Sequence, residues 1–248
     1  MIRNLFAAAL LAALAAGLLT AAIQHFRITP IITQAETFEG EGGHSHGVEA
    51  AAHVDAAGTP AHSHAAAATE EWAPQDGFER TAYTTLATVL AAAGFALVIG
   101  AISMFANIPI TFANGFAWGL AGFLCFSLAP AYGLAPELPG MPAAAVLPRQ
   151  IWWVGTALAT GAAILLLVKV RASWAIALAV ALVVAPHIIG APVAPDEPSA
   201  VPAHLASEFA AITLGTSVVF WLVLASVFGK LNDVFARQSL TAPNGVLA

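Results

Sequence analysis

Long stretches without a charged side chain alternate with short polar breaks along this chain, and the stretches set its elements. A helix needs roughly 20 mostly apolar residues to cross about 30 Å of hydrocarbon. A central Asp, Lys or Arg costs on the order of 3 kcal/mol on insertion scales, so charge-free runs are the sharpest markers of spans. The first lies between Arg3 and Arg27. The next, between Arg80 and Glu137, is long enough for two spans, and Asn107-Ile108-Pro109 suits the short turn between them. Further runs cover Gln150–Val168, Ala172–Ala194 and Phe209–Gly229. The pattern predicts an all-α polytopic membrane protein of about six transmembrane helices, near 4–26, 82–105, 112–132, 150–168, 173–190 and 208–229. It divides the chain into a first helix (1–27), a loop (28–79), a five-helix membrane domain (80–230) and a tail (231–248).

Composition agrees. The chain is 59% apolar and only 9% charged, where a soluble domain carries about a quarter charged residues. Arg3, the alanine-leucine run and small residues near Ala22 also fit a cleaved signal peptide. The apolar stretch outruns the usual signal core, reaching Ile23 and Phe26, which favours a retained helix. The single cysteine, Cys125, excludes an internal disulfide and a Cys-x-x-Cys metal site. An acidic balance, 14 Asp and Glu against 8 Lys and Arg, gives no reason to expect nucleic acid.

Charge also orients the spans. With the N-terminus inside, Arg3, Lys169, Arg171, Lys230 and Arg237 face the cytoplasm, against Arg27, Arg80 and Arg149 outside. That is a modest positive-inside bias. It places both termini in the cytoplasm and gathers the histidines, and every acid except Asp233, on the outer side or at its membrane edge.

The loop holds the most distinctive chemistry. Gly43-His44-Ser45-His46, His53 and His62-Ser63-His64 put five of the eight histidines among alanine, glycine, serine and acids. Imidazole is the commonest side-chain metal ligand, and His-x-His in an extended chain turns both rings to one side. With Glu39, Glu41, Glu49 and Asp55 nearby, the segment suits capture of Co²⁺, Ni²⁺, Cu²⁺ or Zn²⁺ without selecting among them. The plainer reading is a biased loop whose histidines are incidental. From about Ile28 to Asp76 the composition offers too little apolar surface to offset ordering entropy, so this arm is expected to be disordered without ligand.

Three further segments carry candidate ligands. In Glu70-Glu71-Trp72-Ala73-Pro74-Gln75-Asp76-Gly77-Phe78-Glu79-Arg80, Trp72 and Phe78 suit the headgroup level. There Asp76 and Glu79 serve either an ion at the mouth of the second helix or simply its N-terminal dipole. In the proline-stiffened connector from Pro136 to Pro142, Glu137 and Met141 are possible ion contacts, though pairing of Glu137 with Arg149 is preferred. At the end of the fifth span, Pro186 frees a backbone carbonyl and His187 sits at membrane depth. His204 and Glu208, four apart, share a helical face. With His187 they are candidates for an N,N,O cation site; the alternative is a capped helix start with an interfacial histidine. Within the spans only hydroxyls such as Thr84, Thr85, Ser103, Ser127, Thr156, Thr160, Thr213 and Ser217, with backbone carbonyls, offer a polar path.

These blocks in this order resemble the CbtA family of predicted cobalt transporter subunits. The resemblance runs through Glu71-Trp72-Ala73-Pro74-x-Asp76-Gly77-Phe78-Glu79-Arg80, Leu128-Ala129-Pro130 and the Pro136-Glu137-Leu138-Pro139-Gly140-Met141-Pro142 connector. It continues in Arg149-Gln150-x-Trp152-Trp153, Ala185-Pro186-His187-x-Ile189-Gly190-Ala191-Pro192 and Ala200-Val201-Pro202-x-x-Leu205-Ala206-x-Glu208-Phe209. It implies a multi-pass bacterial inner-membrane protein for cobalt uptake, associated with cobalamin biosynthesis and with a small His-containing membrane partner, CbtB. It supplies no ligand set.

The resulting expectation is a metal permease subunit: a periplasmic arm gathers Co²⁺ (Ni²⁺ or Zn²⁺ being alternatives), and an outer vestibule with His187, His204, Glu208, Glu79 and Glu137 passes it inward. Two other classes stand beside it. One is a non-transporting metal-binding accessory protein of the membrane. The other, a membrane metalloenzyme, needs a set such as His-Glu-x-x-His, which the sequence lacks, as it lacks a phosphate-binding G-x-x-x-x-G-K-[ST] loop.

Overall fold

A computed structural model describes residues 2–42 and 74–241, and every regular element among them is a helix. Helix α1 (Ile2–Ile23) passes through a π-helical turn (Gln24–Ile28) into α2 (Thr29–Gly42). Helix α3 spans Phe78–Ala106. Helix α4 (Phe112–Phe123) passes through a second π-helical turn (Leu124–Leu128) into the short α5 (Ala129–Gly133). Then come α6 (Val146–Lys169), α7 (Ser173–Ile189) and α8 (Ala203–Thr241).

Each apolar run expected to span the membrane is helical. Five helical rods among the described residues are long and apolar enough to cross: 3–38, 78–106, 112–133, 146–169 and 203–239. The sixth, α7, is apolar but has 17 residues. That is about 25 Å, the lower limit for a crossing. Helix α8, at 39 residues, is nearly twice as long as the hydrocarbon is thick, at about 1.5 Å per residue. Residues from 231, expected to form a tail, continue it as helix to Thr241.

One expectation is corrected. The arm predicted to be structureless from about Ile28 opens as fourteen residues of helix, Thr29–Gly42. Two features carry the helix past Thr29-Pro30. Pro30 has no N–H and its ring crowds the carbonyl four residues back; in the π-turn the Thr29 N–H reaches Gln24 O instead, five residues back, which widens the helix at that point. Beyond it Ile28, Ile31 and Ala35 are buried against Leu138, Val201, Leu205 and Phe209. The rest of the arm, with the disorder expected of it, lies outside the described residues.

The body is built on small residues. Ala8, Ala9, Ala12, Ala13 and Ala16 of α1 are almost fully buried, which lets α1 lie close between α3 and α8. Helix α4 does the same with glycine: a Cβ added at Gly119 would come within 2.7 Å of the Trp221 carbonyl of α8, and one at Gly122 would enter the Trp221 ring. Trp221 stacks on Phe126, ring centroids 5.4 Å apart, with Phe95 and Phe220 edge-on to it. Helices α6 and α7 pack on each other at the side of this body and meet it through α5 and the second π-turn.

The two ends of the bundle differ. At one end the α3–α4 turn forms at the predicted position: Asn107 takes the left-handed conformation (φ 50°) and its N–H bonds Met104 O. The Phe112 N–H donates to Asp233 (3.0 Å) and the Asn232 amide to Ile110 O (3.1 Å), tying this turn to α8. The other end gathers α2, the start of α3, the 134–145 connector, the end of α7 and the start of α8. The arm joins the bundle at this second end, called the arm end below.

Candidate functional site

Two stems carry the arm, and an ionic clamp fastens them. Arg80, the third residue of α3, grips Glu36 of α2 with both terminal guanidinium nitrogens, the Nη1 bond 3.1 Å long. Its Nη1 also donates to Asp76 at 3.0 Å. A planar guanidinium is the side chain suited to such a fork. Glu79 accepts the Gln75 N–H (3.1 Å), which folds the segment before α3 back onto its first turn. Beside the clamp opens a groove of about 510 Å³, lined among others by Gln24, His25, Thr29, Thr84 and Thr85.

A second, larger groove of about 690 Å³ lies between the α4–α5 rod, α6 and α8. Glu137 and Arg149 stand at its rim, joined at 2.8 Å in the ion pair that the sequence favoured. Phe126, Pro130, Trp153 and Leu214 give it an apolar lining, broken by Gln150, Ser127, Thr213 and Ser217. The Ser127 Oγ accepts the Trp221 indole N–H at 3.1 Å.

A family model described as "Probable cobalt transporter subunit (CbtA)" matches residues 2–233. The chain belongs to the CbtA family. It is a multi-pass membrane protein of a cobalt-transport family. Neither a curated protein nor a solved structure matches it.

Among the described residues of this CbtA-family chain, no three His, Cys, Asp or Glu side chains converge to hold a metal ion. The expected N,N,O set of His187, His204 and Glu208 is therefore not assembled. His187 instead lies edge-on between Tyr132 and Trp152, centroids 5.1 and 5.7 Å away. It is kept there by the helix end: the Trp152 indole donates to Pro186 O at 3.1 Å. His204 and Glu208 do share a face of α8, but an exposed one, because Leu205 and Phe209 hold the buried face against α2. His44, His46, His53, His62 and His64 lie outside the described residues.

Glu36 and the two π-turns were missed. The signal for Glu36 was the spacing of Ile28, Ile31, Ile32 and Ala35, three and four apart, which continues a helical face into a segment read as arm. Each π-turn precedes a residue–proline step, Thr29-Pro30 and Ala129-Pro130. A proline inside an apolar helical run marks a break in the hydrogen-bond ladder, though not its form.

Proposed function

We propose that this CbtA-family chain takes up Co²⁺ across the bacterial inner membrane, both termini being cytoplasmic and the arm periplasmic. The arm histidines 44, 46, 53, 62 and 64 gather the ion. His187, His204, Glu208, Glu79 and Glu137 border the arm end and act as separate weak contacts, not as one cage. Passage needs release as well as binding, and several weak sites serve it better than a tight one. Neutral imidazoles with a few carboxylates suit a borderline dication, Ni²⁺ and Zn²⁺ included. A small His-containing membrane partner of the CbtB kind completes the transporter, and cobalamin biosynthesis is the use the cobalt serves.

The observation that carries this reading is the clamp of Arg80 on Glu36 and Asp76. It ties both stems of a five-histidine arm to the end of the bundle where the two grooves open. Radiolabelled Co²⁺ uptake should fall in cells carrying an arm deletion from 44 to 64, and Ni²⁺ and Zn²⁺ competition would rank the ions. Unchanged uptake in the deletion at limiting cobalt would remove the arm from the mechanism. A cysteine placed at Ser63 should react with an impermeant reagent from outside, and protection there would reverse the orientation.

A non-transporting accessory role has one observation in its favour. The aromatic cluster of Phe95, Phe126, Phe220 and Trp221 fills the body on one side of the larger groove, where Phe126 lines it. Metal uptake into proteoliposomes holding this chain alone separates the two readings.

A further inference from the structure

The larger groove is about one leaflet deep. On α6 its lining runs from Val146 to Val154, about 12 Å at about 1.5 Å per residue, against about 15 Å for half of a roughly 30 Å hydrocarbon core. It begins at the arm end, with Glu137 and Arg149 at its rim, and stops among spanning helices at Phe126, Val154 and Ser217. A cavity of that depth ends inside the membrane. Its α6 edge faces lipid, since Val146, Leu147, Ile151 and Val154 are exposed apolar side chains on a spanning helix.

Below the rim, the hydroxyls of the wall are engaged or sealed within the protein. The Ser127 Oγ accepts the Trp221 indole N–H at 3.1 Å, and the Ser217 hydroxyl donates to Thr213 O at 3.0 Å. The Thr213 hydroxyl is itself buried. What the wall presents is apolar: Phe126, Pro130, Leu134, Trp153, Val154 and Leu214. A wall of this kind offers water too few polar partners to hold it, and left empty it forfeits dispersion contacts that a hydrocarbon chain would supply.

The rim is dipolar. Glu137 and Arg149 meet through Oε2 and Nη2 at 2.8 Å, their side chains 24% and 31% exposed. A guanidinium has five N–H donors and a carboxylate two oxygens, so one contact exhausts neither. The exposed amide of Gln150 follows Arg149 on the same lining. Cation and anion side by side are the complement of a headgroup that carries a phosphate and an ammonium. We propose that the groove holds one acyl chain of a zwitterionic, ammonium-bearing phospholipid of the arm-side leaflet, with its phosphate on Arg149 and Gln150 and its ammonium on Glu137. Basic pockets between spanning helices bind lipid headgroups; here the paired carboxylate selects against a purely anionic one. A chain that leaves the bilayer for the groove gains no hydrophobic energy, because lipid tails are as apolar as the wall, so the rim sets the choice of lipid. The assignment needs only a chain embedded in a bilayer and stands apart from the transport reading.

Native mass spectrometry of the full detergent-purified chain tests this, with dioleoyl phosphatidylethanolamine or dioleoyl phosphatidylglycerol added at equal concentration. Phosphatidylethanolamine should be retained several-fold more than phosphatidylglycerol, which has the same chains and phosphate but no ammonium. Arg149→Gln should cut that retention several-fold, and Glu137→Gln should erase the preference between the two lipids. Ala131→Phe, which fills the groove and leaves the rim intact, should lower retention of both. Leu158→Phe, exposed on α6 outside the groove, should change neither. Rim and wall variants of different kinds guard against one failing to fold. A photoactivatable acyl chain on phosphatidylethanolamine should label Leu134, Val154 or Leu214. Equal retention of the two lipids by the wild type would overturn the assignment. So would retention indifferent to Arg149→Gln and Ala131→Phe, the mark of lipid held all round the spans. No retained lipid, with labels spread evenly over the helices, would leave the groove to water or to a partner's helix and overturn it as well.

Discussion

Arg80 and Glu36 stand 44 residues apart in sequence and close the base of the arm. Their side chains are 27% and 34% exposed, so solvent screens the pair in part, and about 1 kcal/mol is the scale to expect of it. Glu36→Gln should lower the melting temperature of the detergent-solubilised chain by roughly 2–4 °C. Asp76→Asn should do less, because Asp76 is largely solvated and makes a single bond to the guanidinium. Equal melting of wild type and Glu36→Gln would show that the clamp carries no stability. At the same scale the sequence was legible in some pairs and not in others. Glu137 and Arg149 flank one short connector, so few partners compete for either. Glu36 finds Arg80 across an arm whose length in space no local pattern fixes. His187, His204 and Glu208 were grouped because they are the polar residues near two neighbouring helix ends; the face each presents depends on packing, which the apolar positions Leu205 and Phe209 decide.

Helices α4 and α8 approach until side chains on one meet backbone on the other. Gly122→Val should be strongly destabilising, since the Trp221 ring fills the space a side chain needs, and overpacking of this kind costs on the order of 1–3 kcal/mol. Gly155→Ala on α6, where a Cβ meets nothing within 4 Å, should leave stability unchanged or slightly raise it. The ratio of monodisperse to aggregated protein after extraction reads both, and a tolerated Gly122→Val would contradict the packing described here. Charge-free runs located all six apolar helices because insertion cost is set by each segment's own residues, whatever it later packs against. The continuation of α1 into α2 was not legible: the polar residues Thr29, Thr33, Gln34, Glu36 and Thr37 lower the hydropathy there, and the burial that keeps Thr29–Gly42 helical comes from Leu138, Val201 and Leu205, far along the chain.

For the molecule as a whole, the proposed uptake puts capture and passage on different parts, which should fail differently. Deleting residues 44–64 should raise the cobalt concentration at half-maximal uptake while leaving the maximal rate near wild type, since the arm acts by local concentration. Glu137→Gln should lower the maximal rate instead. If the deletion reduces only the maximal rate, the arm belongs to the path and not to capture. Arg149→Gln, which leaves Glu137 without its partner, should shift uptake in the direction opposite to Glu137→Gln. Concentration series in one strain background measure all three. Composition announced a membrane body, and the order of its charge-free runs predicted the imidazoles and acids at one end, because charged groups are costly within the hydrocarbon. Where that end hollows into grooves follows from glycine, proline and aromatic packing at particular positions, which composition averages away.

The two widened turns have a consequence for any attempt to separate architecture from conduction. A π-turn holds one surplus residue while the helix on either side keeps its phase. Removing a single lipid-exposed residue, Phe26 from the first turn or Leu128 from the second, together with Pro30→Ala or Pro130→Ala, should therefore yield a straight rod with the same faces inward. Both shortened chains should still insert and fold. The spare residue can thus be withdrawn from each rod in turn, leaving a scaffold whose throughput reports on that turn alone.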